Sequence, residues 1–266
     1  MNKIGIIGLG FVGNAIYRSI EPYSYGQGAL VILDPAKGHN TSYEELYECE
    51  GIFVCVPSPM KADGSCDTSI LESVLLNLKN YEGVIISKVT APPDVYQRLN
   101  DQYPNLVHAP EFLTAANAVR DYANGTFAII GGRIKAYRDA AEMIIRLSQR
   151  DLETVKFCSI KEAALAKYAI NSFLATKVIF MNELYNLANK AGLNYDIVSN
   201  LVKQDQRIGS SHMMVPGPDG QLGFGGACFP KDTEALVNYA KSVGVDLSVL
   251  ITATQKNTML RLTEPK

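Results

Sequence analysis

Lys3-Ile-Gly-Ile-Ile-Gly8-Leu-Gly10-Phe-Val-Gly13 carries a short apolar run into three glycines, and a helical stretch follows to Ile20. Without a Cβ, Gly8 permits a tight turn, Gly10 leaves the backbone bare for a pyrophosphate, and Gly13 lets the helix pack on its strand. A second apolar run, Leu30 to Leu33, ends in Asp34 at the spacing of an acid that accepts hydrogen bonds from ribose hydroxyls. A carboxylate there repels a 2′-phosphate, so the pattern predicts NAD rather than NADP.

Outward from this fingerprint, β-branched runs alternate with helical stretches: Ile52 to Val56, Val84 to Ser87, Leu106 to His108, Phe127 to Ile130 and Thr154 to Phe157. Such alternation predicts an α/β, Rossmann-like, doubly wound and mostly parallel sheet over residues 1–158. Ligands of open sheets bind beyond the carboxyl ends of the strands, where Pro57-Ser58-Pro59, Lys88-Val89-Thr90 and Ala109-Pro110-Glu111 fall. After Ser159 the strand signal stops. Residues 159–266 are expected to form an all-α domain around a long spine helix, Ile160 to Ala191, with further helices at Tyr195 to Lys203, Lys231 to Val243 and Leu247 to Leu262. On the spine, Lys167 and Asn171 stand one turn apart on one face.

The stretch Gly223-Phe-Gly-Gly-Ala-Cys228-Phe-Pro-Lys-Asp232 puts one thiol where a helix begins. Pro230 suits a first helical turn. Helix N-terminal amides and the Lys231 cation both favour a thiolate, which makes Cys228 a candidate nucleophile. The alternative is a cysteine packed beside a glycine turn. The Gly-, Pro- and Ser-rich segment from Arg207 to Gly226 is long for a connection inside a compact domain, a property of functional loops.

Composition narrows the classes. A net charge of −2 over 266 residues gives no electrostatic case for nucleic acid or an anionic membrane. The apolar runs are strand-length and no signal peptide precedes the first strand, so a cytoplasmic protein is expected. Five cysteines and three histidines show no metal-ligand spacing, so reduced thiols and no metal site are expected.

Taken together, Gly8 to Gly13, Val56-Pro-Ser-Pro59, Thr90-Ala-Pro-Pro93, Pro110-Glu-Phe-Leu113, Lys167 with Asn171, Arg207-Ile-Gly209 and Gly223 to Asp232 resemble the UDP-glucose/GDP-mannose dehydrogenase family, in the family's order. The resemblance implies a four-electron oxidation of a sugar-nucleotide primary alcohol to a carboxylate, with UDP-glucose preferred, by two NAD molecules in succession. Cys228 is then the nucleophile that holds a thiohemiacetal and next a thioester. Lys167 and Asn171 stabilise the oxyanion, Asp232 works with Lys167 and a water in proton transfer, and Glu111 and Thr90 hold or activate the water. By the same resemblance Phe11, Val12, Pro57, Ser58, Thr90 and Lys231 join Gly8, Gly10, Gly13 and Asp34 at the cofactor. Phe112, Leu113, Lys167, Asn171, Arg207, Phe224 and Gly225 match substrate positions. Simpler roles stay open: Asp232 as a helix cap, Glu111 as a strand-end surface charge, Arg207 as the partner of a nearby carboxylate.

The resemblance also implies a homodimer through the helical domain. Three departures stand out. The family's C-terminal nucleotide-binding domain has no counterpart in these residues, which implies a separate chain supplying it or an altered activity. Ala115 stands where relatives carry a cofactor-touching glutamate, and Val215 to Gly220 is longer than in some relatives. Two rival readings are a β-hydroxyacid dehydrogenase, which transfers one hydride, and a non-catalytic NAD-binding remnant that needs a partner chain.

Overall fold

A computed structural model describes residues 3–20, 30–113, 117–148 and 151–262. It divides into two compact units, Met1–Pro59 with Cys66–Lys167, and Met60–Ser65 with Tyr168–Lys266. Ala115 lies outside the described residues.

The first unit holds an eight-stranded sheet. Its strands are β1 (Lys3–Ile7), β2 (Leu30–Asp34), β3 (His39–Asn40), β4 (Cys49–Val54), β5 (Val84–Ser87), β6 (Leu106–His108), β7 (Ala128–Gly132) and β8 (Val155–Cys158), in the order β3-β2-β1-β4-β5-β6-β7-β8. Pairing is parallel except for β2–β3 and β6–β7. The mostly parallel sheet expected from the alternation is therefore present, with two antiparallel steps that hydrophobic pattern alone does not encode. The order reverses at β1, flanked by β2 on one side and β4 on the other. That reversal opens the crevice in which such sheets bind ligands.

Strand residues alternate between two buried layers, as a period of two requires. Ile4, Ile6, Phe53, Ile86, Val107 and Ile130 pack with α1 (Phe11–Ile20), α5 (Ala118–Ala123) and α6 (Ile134–Leu147). Ile7, Ile52, Val54, Ile85 and Leu106 pack with α2 (Tyr43–Tyr47), α3 (Ser69–Asn77), α4 (Pro93–Gln102) and the first residues of α7 (Ile160–Lys190). Burial on both faces explains why these strands read as continuous apolar runs. Gly131 is small of necessity, since a Cβ there would lie 2.5 Å from Ala163 Cβ.

The second unit takes the rest of α7 together with α8 (Tyr195–Val202), α9 (Phe229–Ser242) and α10 (Ser248–Leu262). One cluster joins Ala175, Ile179, Phe224, Ala253 and Leu260; another joins Met181, Ala188, Tyr195, Met213 and Val215. Helix α9 starts two residues before the expected Lys231, because Pro230 is accommodated within its first turn and Cys228 takes the N-cap position. Among the described residues no helix is long and apolar enough to cross a membrane.

Candidate active site

The glycine turn is built as its spacing demands. Gly8 has φ +90°, and a Cβ there would come within 2.9 Å of the Cys55 backbone where the chain leaves β4. A Cβ at Gly13 would sit 2.0 Å from the Gly8 carbonyl oxygen, so α1 packs this closely only because the position is glycine. Gly10 differs: its missing Cβ would point into open space. Space beside Gly10 and an acid at the end of β2 are what a dinucleotide needs, so these residues fit NAD.

Asp34 Oδ2 accepts the Leu9 N–H at 2.6 Å, and Lys37 Nζ donates to the Leu9 carbonyl at 2.5 Å. Both main-chain polar atoms of Leu9 are thus held, one by Asp34 at the end of β2 and the other by Lys37 just beyond it. The sequence reading missed Lys37; its signal was a cation three residues past Asp34.

At the ends of β5 and β6 the first unit gathers a buried charge cluster. Lys88 Nζ lies 3.1 Å from Glu111 Oε2, and 5.6 Å from the centroid of the Tyr122 ring. Glu111 is 7% exposed, which removes the reading of a surface charge. Lys167, in α7, donates from Nζ to the Glu111 carbonyl at 2.6 Å, and its ammonium stands 4.9 Å from the Phe112 ring centroid. Two lysines therefore fix Glu111, one through its carboxylate and one through its backbone. The Thr90 carbonyl is likewise held twice, by Ser58 Oγ at 2.8 Å and Cys66 Sγ at 3.4 Å.

His108 is fully buried, stacks on Tyr96 at 4.2 Å between ring centroids, and has Nδ1 3.2 Å from the Ser87 carbonyl. Burial, with smaller contributions from the Lys88 and Lys167 charges, pushes its pKa down to about 3 despite the Ser87 hydrogen bond. The imidazole is neutral at physiological pH.

In the second unit Cys228 is exposed at the N-cap of α9. Its carbonyl accepts the Asp232 N–H at 2.8 Å, closing the first turn. The Asp232 side chain caps nothing there. Buried at 1% exposure, its Oδ2 accepts from Asn171 Nδ2 at 2.6 Å and its Oδ1 from Lys231 Nζ at 2.6 Å. Two donors on separate helices thereby clasp one carboxylate a turn beyond the thiol. Phe224 is 4% exposed and meets Phe229 edge to face at 6.1 Å. Arg207 spends its guanidinium on Asp205, with Nη2 2.6 Å from Oδ2, while its side chain stays exposed.

The thiols differ in character. Desolvation pushes the Cys49 thiol up to about 11 and that of Cys55 up to about 12, whereas Cys228 is the one exposed cysteine of the five. Among the described residues no group of three or more His, Cys, Asp or Glu is arranged to hold a metal ion.

Residues 36–148 match the UDP-glucose/GDP-mannose dehydrogenase family, NAD binding domain, and residues 161–259 match the same family's central domain. The first match identifies NAD as the cofactor. The chain is 34% identical over 225 residues to the UDP-glucose 6-dehydrogenase of Rickettsia bellii (strain RML369-C), covering 80% of this chain and 50% of that protein. It spans about half the length of the curated relatives it matches. The fold is shared with a UDP-glucose dehydrogenase from Pyrobaculum islandicum (TM-score 0.78, 23% identity, 97% of this chain and 68% of that one). It is also shared with a 3-hydroxyisobutyrate dehydrogenase from Mycobacterium tuberculosis (TM-score 0.72, 17% identity, 96% and 92%).

Proposed function

We propose that this chain, which belongs to the UDP-glucose/GDP-mannose dehydrogenase family, supplies the cofactor and cysteine machinery of an NAD-dependent oxidation of a sugar-nucleotide alcohol to its carboxylate, with UDP-glucose giving UDP-glucuronate. One observation carries the reading: an exposed thiol at the start of α9 is followed one turn later by a buried carboxylate clasped by Asn171 and Lys231. A hydroxyacid dehydrogenase that moves one hydride has no use for such a nucleophile.

In this reading Gly8, Gly10, Gly13 and Asp34 hold NAD, with Phe11, Val12, Pro57, Ser58, Thr90 and Lys231 around it. NAD, when bound, supplies the hydride acceptor for each of the two oxidations. Cys228 contributes the bond between them: its thiolate adds to the aldehyde carbon to give a thiohemiacetal, and after the second oxidation the same carbon is a thioester. Lys167 and Asn171 stabilise the negative oxygen at each addition. Glu111, with Thr90, takes a proton from the water that cleaves the thioester and frees Cys228, while Asp232 exchanges protons with the lysine. Phe112, Leu113, Arg207, Phe224 and Gly225 are assigned to the sugar nucleotide.

The NADH yield per sugar nucleotide consumed tests this. Two supports it, one supports the hydroxyacid reading, and none with NAD still bound supports a remnant. We further propose a homodimer. It is supported by Phe173, Phe180 and Leu187, all exposed at seven-residue intervals along α7.

A further inference from the structure

Gly223 and Gly225 leave their Cβ positions vacant, and protein side chains occupy that space. A Cβ at Gly223, whose φ is +74°, would lie 2.4 Å from Asn257 Oδ1, and one at Gly225 would lie 2.7 Å from an Arg261 guanidinium nitrogen. Both neighbours project from α10.

Asn257 and Arg261 between them take both main-chain polar atoms of Phe224. Phe224 N–H donates to Asn257 Oδ1 at 2.6 Å, and the Phe224 carbonyl accepts from Arg261 Nε at 3.1 Å. The guanidinium has further donors and uses them on the same loop: Nη2 to the Gly223 carbonyl at 3.1 Å, and Nη1 to Asp219 Oδ2 at 2.6 Å and Gln221 Oε1 at 2.8 Å. From α7, Asn182 Oδ1 accepts the Gly223 N–H at 3.0 Å. A planar fork of fixed N–H directions meets four acceptors at once, which a lysine ammonium cannot reproduce. The Phe224 ring then packs on Phe229, the first residue of α9 and the covalent neighbour of Cys228.

We propose that Asn257 and Arg261 are positioning residues for Cys228, acting through the backbone of Phe224 and the Phe224–Phe229 ring contact. Neither touches the sulfur. They fix the strap, residues 219–226, that delivers the thiol to the N-terminus of α9. This rests on the reading of Cys228 as the nucleophile, and it assigns the Pro-Gly-Pro-Asp-Gly insertion a purpose: Asp219 is the carboxylate that holds the Arg261 fork in place.

The test is the rate of carbamidomethylation of Cys228 by iodoacetamide, followed by peptide mass spectrometry on the whole chain without NAD or sugar. Cys49 and Cys66, buried in the first unit, are quantified in the same digest and report global opening. Arg261→Lys and Asn257→Leu are expected to slow Cys228 labelling about three- to tenfold, the range set by losing one or two hydrogen bonds that hold the sulfur at the helix end. Asn257→Asp, which keeps the acceptor, is expected to restore the parental rate, and the Cys49 and Cys66 rates are expected to stay unchanged throughout. Asp219→Asn, a surface change that leaves the folded core alone, gives the same direction with a smaller size and serves if Arg261→Lys does not fold. A parental Cys228 rate in all variants overturns the proposal. So does a change shared by Cys49 and Cys66, which marks simple loosening of the fold. Because labelling needs no turnover, an inactive chain leaves this result readable, and an active chain with unresponsive labelling refutes only the clamp.

Discussion

Lys88 Nζ and Glu111 Oε2 form an ion pair at 3.1 Å with 2% and 6% of their side chains exposed, so each charge has given up its water for the other. Removing one partner takes a buried opposite charge from the second. Lys88→Met is expected to destabilise by about 3–5 kcal/mol in urea unfolding, and adding Glu111→Leu to recover a large part of that loss. A double variant no more stable than Lys88→Met alone would mean that Glu111 does not depend on Lys88 for its charge.

The three glycines of the first turn differ in what their hydrogens permit. Gly13→Ala forces a methyl group into the Gly8 carbonyl, and is expected to cost about 1–3 kcal/mol as α1 is pushed off the sheet. Gly10→Ala meets nothing in the protein and is expected to leave the melting temperature unchanged while weakening NAD binding, measured by calorimetry. Equal effects of the two changes on melting would contradict the packing described for Gly13.

His108 supplies a pH dependence with a definite sign. Its folded pKa of about 3 lies below the unfolded value of about 6.5, so between them the unfolded chain binds a proton that the folded chain does not. The stability it lends is present above pH 6.5 and drains as pH falls toward 3, at up to roughly 1.4 kcal/mol per pH unit. Urea unfolding of the parent and His108→Leu at pH 4 to 7 checks this: the gap between them should change steadily in favour of the variant as the pH is lowered. A gap independent of pH would mean that the ring protonates where it lies.

Cys228→Ser keeps the size and the helix start but offers a poorer nucleophile. Turnover of the sugar nucleotide to its acid is expected to fall by about 10³ or more, with NAD affinity unchanged. Acid production at parental rate by the serine variant would remove the thioester from the scheme.

Much of this was legible in the sequence because the decisive residues are local. Gly8, Gly10 and Gly13 report their own steric needs, and Asp34 follows at a distance fixed by one βαβ unit. The antiparallel β7 was not legible, since alternation gives a strand its faces but no direction. Nor were the partners of Glu111, Gly223 and Gly225: Lys88, Asn257 and Arg261 are 23 to 36 residues away along the chain. For those glycines a vacant Cβ position looks the same in sequence whether a ligand or a side chain fills it.

Of the five cysteines, Cys228 is exposed, Cys55 and Cys158 are half-buried, and Cys49 and Cys66 are buried. Among the thiols, peroxide diffusing into a solution of this protein therefore reaches Cys228 first, and the product is a sulfenic acid that added thiol can return to the starting state. Storage in air without a reductant would advance that same atom toward sulfinic acid, while the exposed Met60, Met214 and Met259 gather sulfoxide oxygens of their own.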